Sequence, residues 1–371
     1  MSSPNLPPEP DREGAAGGDE GSSIEPVAPP SDMDSVVPPD PTVPSGSDAP
    51  PDAPYRPGAS TFTIEGRSAP ALFVVGWLAT VVGLGTIAIG FLSGDTLAGR
   101  VLLIAGTAVL SIGLIAAAGS QGIERRVRGR LAYAGPSPLL VFAASIPVSI
   151  LLIVLVALPL DVVGIPLDGP FGALLSVAIQ AFVYVALVRL LVVDTGALDW
   201  RAMGVGRFDR RAVMSIAAGA AWAIPVFAAA SIVGALLQLV FRVSAPNPLP
   251  PTGDALGFAV SLLAGVIVAP FGEEILFRAF ATTAWVRALG ERRGLVRAAL
   301  LFAFAHVLTI VGSRADQAAA LALVAFLVHL PVAIALGWIF VRRGSVWASF
   351  GLHATYNAII LVIVEVASRS V

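Results

Sequence analysis

The stretch that decides the class of fold is Gly257–Trp285, GFAVSLLAGVIVAPFGEEILFRAFATTAW. It is longer than the roughly 20 mostly apolar residues a helix needs to cross a ~30 Å hydrocarbon core. Its only charged residues are Glu273, Glu274 and Arg278. A charge at membrane depth costs at least ~2.5–3.5 kcal/mol, so each marks a functional position by default. Pro270 and Gly272, just before the glutamates, predict a kink that opens backbone space at that level.

The rest of the chain suits the same solvent. Of 371 residues, 56% are hydrophobic and 13% charged, against about 25% charged in globular proteins. Mean hydropathy is +0.84. There is no cysteine, which excludes disulfide scaffolds and thiol nucleophiles. There is no lysine either; all 23 basic residues are arginine, which excludes Schiff-base chemistry and the P-loop lysine. No nucleic-acid partner is expected.

Composition breaks near residue 68. Residues 1–67 hold 12 of the 25 acidic residues, three arginines and 15 of the 29 prolines, so they are expected to form a disordered, cytoplasmic tail. They lack the basic start and apolar stretch of a signal peptide. The remainder carries 20 arginines against 13 acids. The expected division is a tail at 1–67, N-terminal transmembrane helices at 68–245 and a second transmembrane core at 250–368. The expected fold class is all-α, a polytopic membrane helix bundle of about eight or nine helices.

Apolar periodicity places spans at Pro70–Ser93, Val101–Gly119, Pro138–Leu160, Phe171–Val193, Val213–Phe241, Gly257–Trp285, Leu295–Gly312, Ala318–Val341 and Ser345–Val366. No β-barrel alternation and no fixed-period repeat is present. Segments 120–137, 194–212, 286–297 and 342–344 together hold 14 arginines, whereas the opposite side has only Arg100, Arg242, Arg314 and Arg369. Positive charge accumulates on the cytoplasmic side. With nine spans the N-terminus is then expected inside and the C-terminus outside, in the plasma membrane of a bacterium.

Arg189 and Glu365 fall near span ends, where long side chains reach the interface. The remaining intramembrane ionisable residues are Glu273, Glu274, Arg278, His306, His329 and His353. His306 follows Arg297, and His353 follows Arg343, by about 14–15 Å of helix at 1.5 Å per residue. The two glutamates precede Arg287 by roughly 20 Å. One layer near mid-membrane thus collects two carboxylates and two imidazoles from three helices, which describes a polar cavity. Glu274 and Arg278 are spaced i,i+4 with the acid first, the favourable order for an ion pair. That pairing leaves Glu273 as the candidate general base. His353 and Asn357 share a face at i,i+4. His329, before Pro331, reads as a packed core histidine, and Phe302 as packing beneath the site.

These residues resemble a known family. Glu273-Glu274-Ile275-Leu276-Phe277-Arg278 fits EExxxR, Phe302-Ala303-Phe304-Ala305-His306 fits FxxxH, and His353-Ala354-Thr355-Tyr356-Asn357 fits HxxxN. In that order, one per helix, they look like the motifs of the CPBP intramembrane proteases. That family includes type II CAAX prenyl endopeptidases and bacteriocin-processing or bacteriocin-immunity proteins. Leu336-Gly337-Trp338 and Arg343-Gly344-Ser345-Val346-Trp347-Ala348-Ser349 resemble the family's approach to its last motif, and Ala279 departs from the glycine many members carry. The resemblance covers about residues 257–366. It implies an endopeptidase acting on a peptide or membrane-protein substrate in the lipid bilayer. Glu273, helped by His306, would activate water; His353 and Asn357 would donate to the oxyanion; Glu274 and Arg278 would orient the site.

It implies no cofactor. The zinc alternative would use Glu273, His306 and His353 as ligands, although the chain has no HExxH. Two other classes stand beside the protease: a non-catalytic scaffold or immunity protein, and an ion-coupled transporter.

Overall fold

The computed structural model describes residues 67–129, 131–243, 252–308, 310 and 314–369. The expected tail lies outside them except for Arg67. The described residues form nine helices and no strand: α1 (Pro70–Leu92), α2 (Leu97–Arg128), α3 (Pro138–Val162), α4 (Pro170–Val193), α5 (Arg210–Phe241), α6 (Ala255–Leu289), α7 (Glu291–Ala305), α8 (Ala315–Arg343) and α9 (Val346–Arg369). Local chemistry sets their starts. Proline occupies the first turn of α1, α3 and α4, where no helical N–H is required. The side chains of Thr96, Asp209 and Asp254 accept from the first free N–H groups of α2, α5 and α6.

Eight of the nine are long and apolar enough to cross a membrane. The exception corrects the expected seventh span. Helix α7 has 15 residues, about 22 Å at 1.5 Å per residue, and it stops at Ala305 with His306 as its C-cap. The apolar pattern that suggested a full span continues past the helix end, because periodicity does not register where hydrogen bonding stops.

Small residues set the closest helix crossings. Gly76, Gly83 and Gly90 of α1 face Gly99, Gly106 and Gly113 of α2 at seven-residue intervals. A Cβ on Gly83 would lie 2.5 Å from the Leu110 backbone nitrogen, and one on Gly106 would lie 2.8 Å from that of Ile87. Between lipid-immersed helices, where burial gains little, such backbone proximity supplies the packing. Gly219 of α5 meets the Ala348 carbonyl of α9 in the same way.

The arginine-rich segments converge on one end of the bundle. Arg126 donates to the Thr195 carbonyl at 3.1 Å, and Val346 N–H to the Gly204 carbonyl at 3.0 Å. Leu295, early in α7, packs against Gly337, late in α8. Arg67 reaches Glu124 at 2.7–2.8 Å, placing the start of α1 at the same end. Helix α9 leaves from that end and finishes at the other.

Candidate active site

Helix α6 carries the glutamates through an irregular stretch. It widens into π turns at Leu263–Val268 and Glu274–Thr282, on both sides of Pro270. Insertions of this kind offset the missing proline N–H while keeping the helix continuous, and they often occur at functional sites. Gly272 is needed for proximity: a Cβ there would lie 2.6 Å from the Ala181 Cα of α4. The expected backbone opening is therefore a pair of π turns within one continuous helix.

Glu274 and Arg278 are the innermost pair, with side chains only 1% and 2% exposed. Arg278 Nη1 lies 3.2 Å from Glu274 Oε1. The guanidinium also stacks on the Phe302 ring, 3.8 Å from its centroid, a cation–π contact that gains strength without water. Phe302 in turn packs edge-on against Phe277 and His353 and tilted against His306. The aromatic of FxxxH is thus a platform joining three helices, as its packing assignment anticipated.

Glu274 has a second partner. His353 Nδ1 lies 2.8 Å from Glu274 Oε1. A carboxylate paired with a guanidinium only accepts, so Nδ1 carries the proton and Nε2 faces the other way. It points toward Glu273, at 3.7 Å from Oε2. His306 has the same arrangement: Nδ1 is 2.8 Å from the Phe302 carbonyl, an obligate acceptor, and Nε2 is 3.9 Å from Glu273 Oε2. Glu273 Oε2 is enclosed and has no hydrogen-bond partner. Two imidazole nitrogens therefore flank one carboxylate oxygen, each just beyond direct hydrogen-bond reach.

Exposure separates the two carboxylates. Glu273 and His306 keep 18% and 24% of their side-chain surface open, against 1% for Glu274. Asn357, one turn past His353, donates Nδ2 to the Gly265 carbonyl inside the first π turn at 2.8 Å. One amide N–H is left for another acceptor.

His329 joins the cluster, which its core assignment did not foresee. Its ring stacks on His306 at 4.3 Å between centroids, and its Nδ1 lies 2.6 Å from the Ala325 carbonyl. A signal existed: it lies 14 residues before Arg343, within the layer that holds the other two histidines. The structure thus brings together Glu273, Glu274, Arg278, His306, His353 and Asn357, with His329 added.

Among the described residues, no three or more His, Asp or Glu side chains are grouped to hold a metal ion. His353 spends only Nδ1 on Glu274, so the three groups named in the zinc alternative, the Glu273 carboxylate and the Nε2 atoms of His306 and His353, face one another.

One comparison with known proteins bears on the region that carries this geometry. Residues 255–359 match the family described as Type II CAAX prenyl endopeptidase Rce1-like. No curated protein and no solved structure matches the chain. The Rce1-like region opens at the start of α6 and closes in α9, so it contains every residue of the cluster. Helices α1–α5 lie outside it.

Proposed function

We propose that this integral membrane protein is an intramembrane endopeptidase in which Glu273 is the base that activates water. The observation that carries the reading is Glu273 Oε2, enclosed and unpartnered between the Nε2 atoms of His306 and His353. A water bound there donates one hydrogen to Glu273 and one to His306 Nε2. Its oxygen attacks the scissile carbonyl carbon as Glu273 takes the proton. The tetrahedral intermediate collapses with cleavage of the C–N bond, and Glu273 returns the proton to the leaving amine. The remaining amide N–H of Asn357 supplies a neutral donor for the oxyanion.

Glu274 fixes the orientation of His353 through its Nδ1 proton, and Arg278 pairs with Glu274. Glu274 and Arg278 hold this arrangement in place.

The substrate is a peptide segment presented at membrane depth. The arginine asymmetry supports a bacterial plasma membrane with the arginine-rich end cytoplasmic, the 1–67 tail on that side and the C-terminus outside. Residues 68–245 then form the N-terminal transmembrane part and 250–368 the catalytic core. The test compares the membrane-protein fragments of cells carrying the native chain with those of cells carrying Glu273→Gln. Cleavage products confined to the native chain are expected; identical fragment sets would end the reading.

A further inference from the structure

The arginine-rich end carries two adjoining concavities separate from the carboxylate cluster. The larger, about 620 Å³, lies between the end of α2, the start of α3, the end of α6 and the outer face of α7. Its wall is apolar, formed by Leu139, Leu300 and Phe304, while Arg125 and Arg297 stand among its lining residues. The smaller, about 300 Å³, is formed by Arg292, Arg293 and Val296 and shares Arg297 with the first. None of these four arginines is in an ion pair among the described residues; Arg125 donates one N–H to the Gly135 carbonyl at 2.9 Å. Four unneutralised guanidinium groups beside an apolar groove form an amphipathic site of a size typical for ligands.

Helix ends fix its level: α2 stops at Arg128, α3 starts at Pro138 and α6 stops at Leu289, so the groove lies where apolar segments give way to arginine-rich connections. Buried Trp285 and Tyr133 are among its lining residues. The Tyr133 hydroxyl donates to the Pro136 carbonyl at 2.8 Å, and burial pushes its phenol above the ordinary value, so it stays neutral. The basic part therefore sits at phosphate level, with the apolar wall running toward the acyl chains.

We propose that the paired concavities bind an anionic glycerophospholipid, with its phosphate among Arg125, Arg292, Arg293 and Arg297 and one acyl chain along Leu139, Leu300 and Phe304. Guanidinium groups match phosphate oxygens two at a time, and basic pockets between transmembrane helices recognise anionic headgroups. The site does not depend on the peptidase reading, since none of its residues belongs to the Glu273 cluster.

The experiment uses the purified full chain in phosphatidylcholine nanodiscs, titrated with phosphatidylglycerol of the same acyl chains. Binding is read by native mass spectrometry and by tryptophan-monitored thermal unfolding. Phosphatidylglycerol is expected to be retained and to raise the melting temperature, whereas extra phosphatidylcholine or inorganic phosphate does neither. Each substitution among Arg125→Gln and Arg297→Gln should weaken retention about five-fold, the usual contribution of one basic residue near anionic lipid. Arg343→Gln, outside both concavities, should leave retention unchanged. Arg292, Arg293 and Arg297 are exposed, so their triple glutamine variant keeps the test valid if loss of the Arg125–Gly135 bond perturbs folding. Equal stabilisation by phosphatidylcholine or by inorganic phosphate, native-like retention in the triple variant, or equal loss in Arg343→Gln would overturn the proposal.

Discussion

Glu273→Gln separates catalysis from stability in a way the geometry specifies. The substitution keeps the side chain's shape and removes its ability to take a proton. Turnover should fall by about 10²–10⁴, the usual contribution of a general base. Stability should move the other way. In the native chain, Glu273 Oε2 is enclosed without a partner, 3.7 Å from His353 Nε2 and 3.9 Å from His306 Nε2. Both nitrogens are acceptors, because both Nδ1 atoms donate elsewhere. A glutamine amide that closes those separations to about 3.0 Å offers two N–H donors, each adding about 0.6 kcal/mol for a hydrogen bond between membrane helices. The variant should be inactive and about 1 kcal/mol more stable. Purified protein would be assayed for cleavage of the peptide identified by the fragment comparison, and for thermal unfolding by tryptophan fluorescence. Retained turnover would refute Glu273 as the base. A lower melting temperature would refute the assignment of both Nε2 atoms as acceptors.

Arg278→Met, by contrast, strips the cation from a fully buried carboxylate and from the Phe302 face, so it should destabilise the fold by about 3–5 kcal/mol. Thermal unfolding checks this, and an unchanged melting temperature would mean that Glu274 is held by other groups. His329→Ala should lower turnover by up to about ten-fold with KM unchanged, as expected for loss of one aromatic stack that orients His306. His329→Phe keeps a ring on His306 and should restore most of the turnover; equal loss in both variants would assign His329 a different role. Because the chain has no cysteine, single cysteines placed at 129, 206 and 290 report orientation directly. An impermeant maleimide applied outside the cell should leave all three unlabelled, and ready labelling would reverse the arginine-based topology.

Much of this protein was legible from its sequence because lipid imposes severe local rules. With no water to satisfy exposed backbone, a long apolar segment has to be helical, so composition alone determined an all-helical membrane bundle. The cost of intramembrane charge made Glu273, Glu274, Arg278, His306 and His353 conspicuous, and 1.5 Å per residue placed them in one layer. The i,i+4 spacing of Glu274 and Arg278 also determined their pairing, because both groups share one helix face. Other features depended on groups distant in the chain. Helix α7 ends at His306 although apolar sequence continues, since a helix end is decided by hydrogen bonding and packing rather than by hydropathy. The partnership of His353 with Glu274 spans 79 positions, and that of Asn357 with the Gly265 carbonyl spans 92. His329 looked like any packed histidine until tertiary folding laid its ring on His306. Sequence carries the depth of a side chain along its own helix; rotation about that axis, and therefore which neighbours it meets, is decided only when the helices pack.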